Sequence, residues 1–87
     1  MPMEIKASPK FAYDYKKLPP LLRKKTDERL KLLLENPQHP SLGFKKMKGF
    51  PDIWEARITK NYRFTFQIQG DFYVLRKIGT HDVLKRP

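Results

Sequence analysis

Cysteine is absent from this 87-residue chain, so disulfide staples and thiolate metal sites are excluded. That absence accords with a reducing, cytoplasmic setting. Histidine is scarce: His39 and His81 stand far apart with no ligand spacing around them, and neither a metal nor a cofactor is expected. No apolar run approaches the roughly 18 residues that cross a bilayer. The opening MPMEIKASPK lacks the basic start and apolar stretch of a secretory signal. A phosphate-cradling glycine loop, a dinucleotide fingerprint and Ser-His-Asp or Cys-His nucleophile systems are all missing. Internal repeats and low-complexity segments are missing too. Acidic residues are few, nine against nineteen Lys and Arg, and the formal charge is +10.

What remains is a small, basic, aromatic-rich chain. Its length holds one domain, residues 1–87, and its 39% hydrophobic content is enough for one economical core. A charge of this size points to nucleic acid, an anionic surface or an acidic protein as partner.

The pattern predicts an α+β domain. Residues 3–7 suit a short edge strand. Ser8-Pro9 is a helix start, because Ser accepts from free N–H groups and Pro gives up a donor that had no partner. Phe11, Tyr15 and Leu18 then repeat at helical spacing, giving a first helix over 9–17. A second helix runs over 20–36 with Leu22, Thr26, Leu30, Leu33 and Leu34 as its buried stripe, widened by Leu21, until Asn36-Pro37 stops it. The two form a hairpin on the apolar side of a sheet. Residues 37–43 read as a loop with His39 in a solvent-exposed turn, and 44–50 as a strand with Lys46 and Lys48 on one face and Met47 on the other.

Three strands follow over 53–84. In the middle one, Tyr62, Phe64, Phe66 and Ile68 alternate with Arg63, Thr65, Gln67 and Gln69. In the strand before it, Trp54, Ala56 and Ile58 alternate with Glu55, Arg57 and Thr59. One face packs a core and the other is studded with cations. Gln69-Gly70-Asp71 makes the tight turn into the last strand, which is apolar on both faces, so Tyr73 stands out of phase with Phe72 and Val74 and open to exposure.

The chemistry-bearing residues gather at strand ends. His81, in GTHDVL, has the side chain best suited to proton transfer near neutral pH; with Asp82 it equally suits a turn and cap. Arg57, Arg63 and Lys48 form a set that can hold a phosphate whose charge grows in a transition state, or a solvated outer face.

With these segments in place, the chain resembles the RelE/ParE superfamily of toxins from toxin–antitoxin modules. The resemblance runs through LKLLLENP, FKKMKGF, WEARITKNYRFTF and LRKIGTHDVL, and the ending is more similar to the RelE and YafQ-like mRNA interferases than to the gyrase-directed ParE branch. It implies two N-terminal helices packed on a twisted, mostly antiparallel sheet of four to five strands. It also implies metal-independent cutting of mRNA on the ribosome, by attack of a ribose 2′-hydroxyl on the adjacent phosphate.

Carried over residue by residue, the resemblance makes His81 the general acid or base and Arg57 and Arg63 the clamp on the transition state. Lys46, Lys48, Arg76 and Lys77 become binders of the RNA backbone. Glu55 occupies a position that is basic or His in the characterised branches, which makes it an alternative base, and HDVLKRP supplies no C-terminal aromatic. The partners implied are an acidic antitoxin, the ribosome and mRNA, with no membrane. A ParE-like gyrase poison and a non-catalytic, antitoxin-binding member are the alternatives.

Overall fold

The computed structural model describes residues 2–87. Strand β1 (Glu4–Ala7) leads into helix α1 (Pro9–Lys17) and helix α2 (Pro20–Glu35); strands β2 (Lys45–Lys46), β3 (Trp54–Arg57), β4 (Arg63–Gln69) and β5 (Phe72–Gly79) complete a five-stranded sheet. Short 3-10 turns occupy Pro40–Leu42 and His81–Leu84. The spatial order is β1-β5-β4-β3-β2, with β1 parallel to β5 and every other pair antiparallel.

The helices begin and stop where their residues dictate. The Ser8 side chain accepts from the Phe11 N–H and donates to the Arg76 carbonyl, so one hydroxyl both caps α1 and ties it to β5. Pro19-Pro20 starts α2 without a side-chain cap. The Tyr15 hydroxyl donates to Asp27 at 2.8 Å and joins the two helices, while Arg29 donates to the Ile58 carbonyl and joins α2 to the sheet.

Phe11, Leu18 and Leu33 from the helices meet Ala56, Ile58, Phe64, Phe66, Tyr73, Leu75 and Ile78 from the sheet. An edge-on ring contact between Phe11 and Phe64 joins α1 to the sheet, and another between Phe66 and Tyr73 joins β4 to β5 within it. Leu42, fully buried, closes the core from the loop after α2.

Several expectations need correction. The strand expected over 44–50 is cut to Lys45–Lys46, because the Phe50 N–H donates to the Met47 carbonyl and closes a turn over Lys48-Gly49. Leu21 and Leu34 lie outside the buried stripe of α2: Leu21 sits in the first turn at 78% exposure, and Leu34 is 44% exposed. Ile68 is 41% exposed, since β4 there has run beyond the helices into its hairpin. Tyr73 is buried, and the reason is a register shift. Phe66 pairs with Leu75, but the preceding Thr65 pairs with Lys77, leaving Arg76 as the extra residue of a β-bulge. The bulge resets the alternation of β5, so Tyr73, Leu75 and Ile78 all reach the core.

The hairpin between β4 and β5 turns through Gly70 and Asp71. Gly70 has φ 57°, a left-handed conformation that costs a side-chain-bearing residue about 1–2 kcal/mol. No helix among the described residues is long and apolar enough to cross a membrane.

Candidate active site

Register decides which cations share a face. Arg57 stands directly opposite Arg63, Glu55 opposite Thr65, Arg63 opposite Gly79 and Thr65 opposite Lys77. The outer face of the sheet, away from the helices, therefore carries Arg57, Arg63 and Lys77 on three neighbouring strands, with Glu55 and Thr65 between them. Like charges directly opposite each other repel. Glu55 relieves this at one position: its Oε1 accepts from Arg63 Nη1 at 3.1 Å. That carboxylate is 4% exposed and the Arg63 side chain 23%. Glu55 thus holds the guanidinium in a fixed place while leaving part of it open.

Arg63 and His81 come together. Both line an open depression of about 520 Å³, with Lys60, Asn61, Tyr62 and Thr80 as the remaining wall. The antiparallel pairing of Arg63 with Gly79 brings the β3–β4 turn beside the end of β5, so KNYR and GTH meet. Gly79 packs closely there: a methyl group added to it would stand 3.3 Å from Cβ of Val83, in the 3-10 turn that begins at His81. His81 is exposed at the first position of that turn. A phosphate resting on Arg63 would face an imidazole and an ammonium across the same opening.

The other expected site residues are placed differently. Arg57 is exposed but does not line the depression; a methyl group at Gly43 would stand 3.8 Å from its guanidinium. Lys46 pairs with Trp54, so the register puts Lys45, opposite Glu55, on the outer face instead. Lys48 is exposed in the turn after β2. Arg76 and Lys77 lie on the outer face but are engaged by the chain itself: Arg76 Nε donates to the Pro87 oxygen, Arg76 Nη1 to Gln67 Oε1 and Lys77 Nζ to the Arg86 carbonyl. His39 has a local task, its Nδ1 accepting from the Ser41 N–H.

Lys60 and Asn61 are wall residues that sequence reasoning missed, and Tyr62, expected in the core, is half-buried at the rim. The signal was the basic turn TKNYR between two strands, at the sheet end where GTHD also falls. Among the described residues, no group of three or more His, Cys, Asp or Glu could hold a metal ion.

Neither a protein-family model nor a curated protein matches the chain. Solved structures do. The YoeB dimer of Staphylococcus aureus shares 21% identity at a TM-score of 0.76, covering 93% of this chain and 99% of that one. RelE in the RelB–RelE antitoxin–toxin complex of Methanococcus jannaschii shares 21% identity at a TM-score of 0.72, covering 92% and 94%. The E. coli DinJ–YafQ toxin–antitoxin complex gives 17% identity and a TM-score of 0.74, covering 97% and 98%. The chain shares its fold with these RelE-like toxins over nearly its whole length.

Proposed function

We propose that this chain is the toxin of a toxin–antitoxin pair, and that it is a cytoplasmic endoribonuclease cutting mRNA on the ribosome. The observation that carries the reading is the shared depression of Arg63 and His81 at the end of a cationic sheet face. The RelE-like fold supports it, as does a charge of +10.

In this reading the scissile phosphate rests on Arg63, whose orientation comes from Glu55. The 2′-oxygen of the preceding ribose attacks phosphorus, forming a 2′,3′-cyclic phosphate and breaking the bond to the 5′-oxygen. His81 takes the 2′ proton as that bond forms. The leaving 5′-oxygen receives its proton from Lys60, an exposed ammonium on the same wall. Arg63 stabilises the charge that builds on the non-bridging oxygens, where a fixed guanidinium acts without reorganisation. Arg57, one strand away, draws the flanking backbone toward the site. Glu55 is assigned to positioning, because a carboxylate this enclosed and already bonded to Arg63 lacks an open path to a 2′-hydroxyl. The same surface suits an acidic antitoxin, which would neutralise charge and cover the site.

Cleavage by translating ribosomes, with 5′ ends mapped, tests the reading. Cuts within A-site codons that fall at least a hundredfold with His81→Ala and with Arg63→Ala support it. Inhibition of gyrase supercoiling without RNA cleavage replaces it with the ParE-like alternative. The free toxin is also expected to bind a cation exchanger more tightly than the antitoxin complex, and equal retention would show that the partner leaves the basic face open.

A further inference from the structure

The outer sheet face holds a second cluster of donors beside Arg63, and residues 86–87 occupy it. Thr65 Oγ1 and Arg76 Nε both donate to the Pro87 main-chain oxygen at 3.1 Å, and Lys77 Nζ donates to the Arg86 carbonyl at 2.8 Å. Gln67 accepts from the remaining arm of Arg76 and so aims its fork. Thr65 is fully buried and Pro87 is buried above it. The bulge makes the cluster possible: with Arg76 as the extra residue, two consecutive cations reach the same face.

A guanidinium, an ammonium and a hydroxyl converging on chain oxygens form a donor set that phosphate oxygens also satisfy, with more negative charge to set against the two cations. Thr65 and Lys77 lie one residue pair along the face from Arg63 and Gly79, about 7 Å away at the rise of a strand. The strap and His81 belong to one short segment, since residues 85–87 leave directly from the 3-10 turn that His81 begins.

We propose that Thr65, Arg76 and Lys77 form a phosphate subsite next to the Arg63–His81 depression, and that residues 86–87 are a strap filling it until a phosphate-bearing ligand displaces them. The proposal deepens the nuclease reading and rests on it for the identity of the ligand, a polynucleotide. A phosphate group entering here takes over the bonds now made to Pro87 and Arg86 and releases the segment that follows His81. Binding at the subsite and placement of the imidazole are thereby linked.

The test uses the full chain and inorganic phosphate, followed by nitrogen–proton NMR. Pro87→Gly loosens the strap while leaving all three donors in place; a melting curve verifies that it folds. Phosphate is expected to shift the Thr65 amide, the Arg76 Nε–H and the Arg86 amide together and saturably. Pro87→Gly is expected to lower the apparent Kd at least threefold, and adding Arg76→Gln to raise it at least tenfold again. Shifts confined to residues 60–63 and 80–81, or a Kd unchanged by Pro87→Gly, overturn the proposal. Since no RNA is cut in this experiment, a strap that fails leaves the nuclease reading standing. A chain that cleaves nothing would still show the displacement.

Discussion

Glu55→Gln separates the two roles open to the only acid in the cationic cluster. Glutamine keeps the shape and an acceptor oxygen at 3.1 Å from Arg63, and removes only the charge. Arg63 stays charged, so its bond to glutamine remains a bond to a charged group; what is lost is the charge–charge attraction, about 1 kcal/mol for a partly exposed pair. Stranding a fully buried charge costs about 3–5 kcal/mol, but Arg63 at 23% exposure keeps part of its hydration. The total should be about 1–2 kcal/mol, which for a domain of this length lowers Tm by roughly 4–8 °C per kcal/mol. A positioning loss of similar size slows cleavage about tenfold, since 1.36 kcal/mol is a factor of ten in rate. Loss of a general base costs about 10²–10⁴. Single-turnover cleavage across pH 5.5–8.5, beside thermal melts, reads both quantities. The expected result is a tenfold loss with the wild-type pH profile retained and Tm lowered. A loss beyond a hundredfold with an altered profile would make Glu55 the base, and an unchanged Tm would mean that the ion pair does not hold in solution.

Three further outcomes follow from local geometry. Ser8→Ala removes the acceptor of the Phe11 N–H and the donor to the Arg76 carbonyl, and should cost about 1 kcal/mol in denaturant unfolding with cleavage little changed. Gly79→Ala forces Val83 and the turn carrying His81 to move by a few tenths of an ångström, so cleavage should fall more than stability; equal losses would refute the coupling. Burial raises the Tyr73 phenol above its usual value near 10. A raised folded value stabilises below pH 10 and loses that contribution as pH climbs through it, so Tyr73→Phe should resist alkaline unfolding better than wild type above pH 10, and parallel curves there would exclude the effect.

The parts legible in the sequence were those set by local period. The Ser8-Pro9 start, the Asn36-Pro37 stop and the alternation through Tyr62–Gln69 need no distant partner to be seen, and they placed Arg63 on the outer face. Residues that depend on register were less visible. Lys45 and Lys46 exchange faces according to which of them meets Glu55, and nothing in FKKMKGF decides that. Tyr73, Leu75 and Ile78 carry the mark of the bulge in their spacing of two and then three, but that spacing also reads as a strand apolar on both faces. Lys60 reaches the depression through the closure of a hairpin, and residues 86–87 reach Thr65 through a return of the chain; no periodicity encodes either.

The placement of cations argues for a binding face over a merely solvated one. Setting Arg57 directly opposite Arg63 costs stability that a Thr or Gln at position 57 would spare. Only Arg63 has its cost offset, by Glu55; among the described residues no ion pair involves Arg57. The bulge then adds a second departure from the regular sheet, turning Arg76 and Lys77 to the same side when strict alternation would separate them. Each departure weakens the sheet locally, and each brings positive charge to one surface within about two residue pairs of His81. Local conflicts that all raise the affinity of one face for phosphate are the expected imprint of a site where binding, and not packing, sets the residues.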